Sequence, residues 1–279
     1  MDKRQLDLLI ISGTQLGTSQ CHALELLQYL KSVRPEILVL NGGFIEVTKF
    51  DKDKLSKSHQ AIIREVINLA LAGTKVYYVT PNKKQLEQDF DALWEGAIQL
   101  REKLDLRLKG QRYWFFPGVG LEPLLKVPAF LLRPGSITYR LLSAGNKLWL
   151  KCSDLFKRNK NAAVKSIDQA SKRSPEMIEA FEERVTKLAL EQGYDYIACA
   201  YAPEGVIKQF LKDECKIVYM NAGNWSENLS SLEFRFGKWK VYHYDELDYK
   251  LVNPPLKSEK EKVEAIKAVA KSGFGSIVE

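Results

Sequence analysis

The chain has 279 residues, of which 45% are hydrophobic, and this composition excludes a chain that is disordered throughout. Its formal net charge is +7 and its isoelectric point is about 9.0, which suits anionic partners such as phosphates, nucleic acid or an acidic membrane surface. A lysine-rich surface without any such partner would give the same totals. The length fits one α/β domain that carries an insertion.

The cysteines and the apolar runs bear on the cellular compartment. The four cysteines (Cys21, Cys152, Cys199 and Cys215) are far apart and form no Cys-x-x-Cys pair, so we expect reduced thiols rather than disulfides or a zinc site. The first residues lack the apolar core of a signal peptide, and no apolar run reaches the length of a membrane span. We therefore expect a cytoplasmic protein, with peripheral contact with the inner membrane left open.

The first eighty residues alternate strands and helices. Apolar, β-branched runs predict three strands: Leu6–Ser12, Glu36–Leu40 and Lys75–Thr80. Apolar residues at helical spacing predict two helices between them, Ala23–Ser32 and His59–Ala72. Alternation of this kind predicts parallel βαβ units with right-handed crossovers.

The rest of the chain is predicted to hold an insertion and a second group of strands. Two short strands are predicted within Leu104–Phe116, and residues from about 120 to 175 mix apolar and basic residues in a way that favours a helical insertion. A helix follows, from the N-cap Ser174 and Pro175 to about Gln192. The strands predicted after it are Tyr196–Ala200, Lys216–Asn221, Ser231–Phe236 and Trp239–Tyr244. We expect one domain over residues 1–250 and a charged tail over residues 251–279 with the spacing of a short surface helix.

Five loops follow predicted strands, and we expect them at one edge of the sheets, where open α/β folds bind ligands. They are Gly13–Thr18, Asn41–Phe44, Pro81–Lys84, Tyr201–Gly205 and Ala222–Glu227. These loops contain no aspartate and no histidine, although a pair of divalent cations requires several such ligands. The sequence therefore predicts a ligand-binding edge of the sheets that lacks the usual metal-binding residues.

The same loops give little evidence for nucleophilic catalysis or for phosphate binding. Ser12 and Thr14 have no histidine placed as a base, and Cys199 ends a buried strand, where a core thiol is the commoner role. Lys83 and Lys84 could hold a phosphate or could be solvated turn lysines, and the residues leave both interpretations open.

The remaining charged and aromatic residues point to no other site. The three histidines (His22, His59 and His243) are expected as surface or helix-terminal residues. The basic residues are scattered rather than striped, so no nucleic-acid interface is predicted.

Six segments between about Leu6 and Tyr244 are similar to the motifs of a known enzyme family. They are Leu16–Thr18, Cys21–Ala23, Pro35–Gly42, Val76–Thr80, Gly193–Ile197 and Asn221–Leu229. The last of them is similar to a family segment Asn-x-Gly-Asp-Trp-x-Glu. The chain thus resembles the calcineurin-like metallophosphoesterases, and within them the bacterial UDP-2,3-diacylglucosamine pyrophosphatases of lipid A synthesis. The resemblance implies a four-layer α-β-β-α sandwich with a helical cap insertion that accepts acyl chains.

The departures from the family fall on the positions of its metal ligands. At positions that hold two Mn or Mg ions in the family, this chain has Gly13, Gln15, Gly43, Asn82, Lys83, Pro117, Tyr201 and Pro203. Only Asn82 keeps the residue of the family. Two-metal phosphoester hydrolysis needs both cations to polarise the phosphate and to activate water. The departures from the resembled family therefore predict that this chain is a pseudoenzyme, with no metal cofactor and no catalytic residue.

Three functions stay open at the level of sequence. The first is a binding or regulatory protein for a phosphorylated lipid A precursor or a nucleotide-linked lipid, with Asn82, Lys83 and Lys84 as candidate phosphate-binding residues. The second is an interaction subunit that pairs with an active paralogue or a larger assembly through the cap and the tail. The third is a residual phosphoesterase or UDP-2,3-diacylglucosamine hydrolase.

Overall fold

The computed structural model describes residues 3–46, 55–81, 83–84, 86–87, 96–118, 173–212, 215–246 and 249. The chain divides into two compact units, Met1–His243 and Tyr244–Glu279. Three of the sequence predictions lie outside the described residues: most of the insertion at about 120–175, the tail over 251–279, and Asn82.

The described secondary structure belongs almost entirely to the first unit. Its strands are β1 (Arg4–Ile11), β2 (Val33–Asn41), β3 (Lys75–Val79), β4 (Ile98–Arg101), β5 (Leu104–Leu108), β6 (Gln111–Phe115), β7 (Tyr196–Cys199), β8 (Gly205–Lys212), β9 (Cys215–Ala222), β10 (Ser230–Arg235) and β11 (Lys238–His243). The helices with described bounds are α1 (Ala23–Ser32), α2 (Lys57–Leu71), α3 (Pro175–Glu191) and α4 (Trp225–Asn228).

The strands form two sheets. The first has the order β11-β10-β1-β2-β3-β4, in which β1 to β4 are parallel and β10 is antiparallel to β1. The second has the order β5-β6-β7-β9-β8, in which β6, β7 and β9 are parallel and the edge strands β5 and β8 are antiparallel to their neighbours. The predicted parallel βαβ units are confirmed over β1, β2 and β3.

The two sheets pack face to face around one apolar core. Leu8 and Val39 of the first sheet belong to the same buried cluster as Phe115 and Met220 of the second. Helix α3 covers the outer face of the second sheet, where Phe181 joins another buried cluster. Helices α1 and α2 lie on the first sheet. The result is the predicted α/β sandwich of two sheets with helices on both outer faces.

Local signals in the sequence account for the helices. In α1, Leu26, Tyr29 and Leu30 are fully buried, and their spacing places them on one face of the helix. Helix α3 begins as predicted, because the Ser174 side chain accepts a hydrogen bond from the Met177 N–H and Pro175 occupies the first turn. Helix α2 begins at Lys57, two residues before the predicted start, with Ser56 as its N-cap.

Strands β4 and β8 and the short helix α4 are absent from the sequence prediction. In β8, Lys208 and Gln209 are both exposed and interrupt the apolar alternation that would indicate a strand. The strand exists because it pairs antiparallel with β9 along its whole length, from Gly205 opposite Ala222 to Lys212 opposite Cys215. Tertiary pairing overrides local propensity at this edge.

Candidate functional site

The loops after β1 and β2 are joined by backbone hydrogen bonds. The Gly13 N–H donates to the Gly42 carbonyl at 3.1 Å, and the Gln15 N–H donates to the Gly43 carbonyl at 2.9 Å. The Gly42 N–H in turn donates to the carbonyl of Val79, the last residue of β3, at 2.9 Å. The predicted convergence of the strand-end loops at one edge is therefore confirmed for the first sheet.

The loops of the second half of the chain reach the same edge. The Trp225 N–H donates to the Ser12 carbonyl at 2.9 Å, and the Asn224 N–H donates to the Pro203 carbonyl at 2.8 Å. A side-chain bond links the two sheets directly, since Asn41 Nδ2 donates to the Ala198 carbonyl at 3.3 Å. Backbone N–H and carbonyl groups of the loops at this edge therefore satisfy one another's hydrogen bonds.

Asn224 occupies the space beside Gly13, the position that holds an aspartate in the resembled family. A Cβ atom built on Gly13 would lie 2.0 Å from Asn224 Oδ1 and 3.1 Å from Asn224 Cα. Asn224 is almost fully buried and is held by two bonds, from its Nδ2 to Glu227 at 2.8 Å and from Ser226 Oγ to its Oδ1 at 2.9 Å. Gly13 also has a φ of +61°, which side-chain-bearing residues rarely adopt. A carboxylate cannot enter here unless Asn224 moves.

Asn221 fixes the loop after β7. Its Oδ1 accepts the Tyr201 N–H at 2.9 Å, and its Nδ2 donates to the carbonyls of Ala202 at 2.7 Å and Glu204 at 2.6 Å. Asn221 is fully buried, so these bonds are shielded from water and hold the loop backbone against the end of β9. Sequence reasoning assigned Asn221 to the end of a strand and did not anticipate this role.

Tyr201, a predicted vestigial ligand position, is a core residue. It is fully buried, and its ring stacks on Phe181 of α3 with centroids 3.6 Å apart. The Arg173 guanidinium lies 3.9 Å from the same ring, and Arg173 Nη1 donates to the Tyr201 carbonyl. The side chain therefore packs between the second sheet and α3.

The other predicted positions have separate surroundings. Pro117 is buried and packs against Gly42, where an added Cβ would lie 3.0 Å from Pro117 Cβ. Gln15 is buried and has a φ of +51°. Lys83 Nζ lies 3.4 Å from Glu87, and Lys84 is exposed. The structure brings Gly13, Gln15, Gly43 and Pro203 into one network of loop bonds, with both lysines outside it.

The donor groups at these positions do not fit a pair of divalent cations. Within the described residues, no three side chains of His, Cys, Asp or Glu lie close enough together to hold a metal ion. Cys199 is fully buried, and burial raises the pKa of its thiol to about 12, as expected for a thiol in the core. Among the described residues, these loops present hydrogen-bonded amides and buried apolar side chains.

A cavity of about 830 Å³ lies between the starts of α1 and α2 and is also lined by Gly17 and Thr18 of the first strand-end loop. Cys21, His22 and His59 line it together with hydroxyl residues such as Ser56. Burial lowers the pKa of His59, and burial with the nearby Glu25 carboxylate raises the pKa of Cys21 to about 12, so both side chains are neutral at physiological pH. The two histidines lie at helix starts, as the sequence predicted.

No family model and no curated protein matches this chain. Three solved structures illustrate what it is similar to. An archaeal phosphodiesterase is 10% identical, with 85% of this chain and 98% of that chain covered and a TM-score of 0.42. A phosphopantetheinyl hydrolase from Mycobacterium tuberculosis is 10% identical, with 88% and 98% covered and a TM-score of 0.40. Vacuolar protein sorting 29 from Cryptosporidium parvum is 10% identical, with 86% and 97% covered and a TM-score of 0.38.

The likeness is one of fold. At such identities and TM-scores it carries no argument about activity, substrate or partner. The described residues also include no helix that is both long and apolar enough to cross a membrane.

Proposed function

We propose that this chain is a non-catalytic protein that uses a metallophosphoesterase-like scaffold for binding or regulation. The observation that carries the proposal is the packing at Gly13, where Asn224 fills the space that a metal-binding carboxylate would need. The side chain of Asn224 is itself hydrogen-bonded to Glu227 and Ser226. These bonds hold the Asn224 side chain in the rotamer that occupies the space beside Gly13.

The surrounding chemistry supports the same conclusion. Hydrolysis by two metals needs anionic or imidazole ligands that fix both ions near a phosphate. The described positions offer two glycines, a glutamine, two prolines, a tyrosine and a lysine. We therefore assign no catalytic residue and no metal cofactor to this chain.

For the ligand, we propose a phosphorylated lipid A precursor or a nucleotide-linked lipid. Support comes from the sequence resemblance and from the positive charge after β3, where Lys84 is exposed and Lys83 is half-buried. The partly exposed ion pair of Lys83 with Glu87 is worth at most about 1 kcal/mol, so a phosphate could replace it. Asn82 would be the third contact.

Metal analysis tests the non-catalytic assignment. The full chain is purified in the presence of Mn²⁺ and dialysed, and bound metal is measured by mass spectrometry alongside Mn²⁺-stimulated hydrolysis of bis(p-nitrophenyl) phosphate. We expect no stoichiometric metal and no turnover, with an active metallophosphoesterase as the positive control. Two tightly bound metal ions per chain would overturn the assignment and favour the residual phosphoesterase.

Calorimetric titration tests the ligand. We expect binding of UDP-2,3-diacylglucosamine or its monophosphate product, weakened about fivefold by Lys84→Ala through the loss of one partly screened charge contact. Lys57→Ala removes an exposed lysine from the start of α2 and should leave binding unchanged. No binding at high micromolar ligand would reject this ligand class while leaving the metal result intact.

The alternative is an interaction subunit that pairs with an active paralogue or a larger assembly. The cap and the tail that would carry it lie outside the described residues, so it stays a prediction from the sequence. A stoichiometric partner in a pull-down with the full chain would favour it over the ligand-binding role.

A further inference from the structure

Three exposed apolar side chains lie at the end of the sandwich opposite the strand-end loops. Leu71 ends α2, Leu211 lies near the end of β8 and Phe236 lies in the turn between β10 and β11. Their exposed fractions are 79%, 77% and 81%. The topology places all three at this end: α2 leads back to the start of β3, β8 runs antiparallel to β9, and β10 runs antiparallel to β1.

An exposed lysine accompanies each of these apolar residues. Lys75 begins β3 shortly after Leu71, and Lys238 begins β11 shortly after Phe236. Lys216 is the register partner of Leu211 across β8 and β9. Among the described residues, none of the three lysines forms an ion pair. We call the surface formed by Leu71, Leu211, Phe236, Lys75, Lys216 and Lys238 the basal face.

We propose that the basal face docks onto an anionic membrane surface. The three apolar side chains would enter the boundary between headgroups and acyl chains, and the lysines would contact anionic headgroups. Peripheral proteins bind such surfaces through exposed apolar side chains surrounded by cations. The free energy from burying the apolar area and that from electrostatic attraction to anionic lipids add together. The proposal goes beyond the function proposed for the strand-end loops and concerns the opposite end of the molecule.

The charge and the side-chain types of the basal face argue against two other partners, a second copy of this chain and single-stranded nucleic acid. A second copy of this chain docked face to face would bring like charges together, since a two-fold interface pairs the same surface with itself. Single-stranded nucleic acid is bound by aromatic platforms on which bases stack, and two of the three apolar tips are leucines. An anionic lipid surface suits both the leucines and the lysines.

Vesicle flotation with the full chain tests the proposal. We expect the protein to float with vesicles of phosphatidylcholine and phosphatidylglycerol, less so as salt rises, and not with phosphatidylcholine alone. The double variant Leu211→Ser/Phe236→Ser should lower the partition coefficient about tenfold or more through lost apolar burial. Lys216→Gln and Lys238→Gln should each lower it about fivefold.

A matched control uses apolar residues from the other end of the sandwich. Leu24 and Met177, exposed by 65% and 48%, lie in the first turns of α1 and α3. The double variant Leu24→Ser/Met177→Ser should bind vesicles as the wild type does. All substituted side chains are exposed, so each variant should also keep the wild-type melting temperature.

A tryptophan probe gives a second readout that does not depend on affinity. Phe236→Trp should add a blue-shifted emission component when anionic vesicles are present, and Leu24→Trp should not. The proposal is overturned if the wild type fails to float with anionic vesicles, floats equally with neutral ones, or loses binding only in the control variant. Retention on single-stranded DNA without vesicle binding, or a dimer that Phe236→Ser dissociates, would overturn it in favour of the other partners.

Discussion

Gly13 lies where a side chain would have no room, because Asn224 occupies the adjacent space. The backbone at this position still bonds to Gly42 and to Ser226, as a strand-end loop requires. The side-chain space, however, belongs to Asn224. We therefore propose that the loss of the family's ligand and the filling of its space are coupled at this position, and we expect that a carboxylate introduced here alone would not restore a metal site.

The substitution Gly13→Asp tests this coupling. We expect it to lower the free energy of unfolding by about 3 kcal/mol or more, because it combines a steric clash with a left-handed backbone. Gly110→Asp is the matched control: its φ is +82°, but an added Cβ meets nothing within 4 Å. It should cost only the backbone strain, about 1 kcal/mol. Urea denaturation measures both variants, and equal losses would contradict the filled-space argument.

At the scale of elements, an ion pair between the buried Glu182 carboxylate and the exposed Lys208 ties α3 to the edge strand β8. Lys208 Nζ lies 2.6 Å from Glu182 Oε2, and the Glu182 side chain is only 3% exposed. The other carboxylate oxygen, Oε1, has no hydrogen-bond partner among the described residues. Since β8 has a neighbouring strand on one side only, this contact adds a tertiary anchor to a strand that its own sequence does not favour.

The substitution Lys208→Ala should therefore lower the free energy of unfolding by about 2 kcal/mol, because it leaves a buried carboxylate without its cation. The double variant Glu182→Leu/Lys208→Ala should recover most of that loss, since the unpaired charge is then gone. Lys83→Ala, which removes the partly exposed pair with Glu87, should cost less than about 0.5 kcal/mol. A double-mutant cycle by urea denaturation measures the coupling, and additive losses would contradict this account.

At the scale of the whole molecule, burial of weakly acidic groups sets the response to alkaline pH. Burial raises the pKa of Cys199 from 9.0 to about 12 and that of Tyr78 from 10.0 to about 12. The folded protein therefore keeps both protons at a pH where the unfolded chain has released them. Stability from these groups is complete below about pH 9 and is lost as pH rises towards 12.

We expect the free energy of unfolding to fall between pH 9 and pH 12, by up to about 1.4 kcal/mol per pH unit for each group. Cys199→Ala should reduce this slope, whereas Cys215→Ala should leave it unchanged because Cys215 is exposed. Denaturation curves at several pH values measure the slope. A slope that Cys199→Ala does not alter would mean that other groups, such as buried tyrosines, dominate the alkaline response.

The order of β1, α1, β2, α2 and β3 and the convergence of their loops could be predicted from the sequence, because local periodicity and capping encode both. The sequence also located the start of α3 at Ser174, where a cap and a proline coincide. The resemblance correctly predicted a two-sheet sandwich with helices on both outer faces. The cap, the tail and Asn82 remain predictions, since they lie outside the described residues.

The surroundings of the residues at the family's ligand positions follow only from the tertiary structure. Asn224 reaches Gly13 across more than two hundred residues of chain, and Tyr201 turns into the core beneath Phe181. Strand β8 forms because β9 supplies its hydrogen bonds, despite its polar centre. The basal face likewise arises from three turns that are distant in sequence. These features depend on contacts between remote segments, and no local pattern of residues records such contacts.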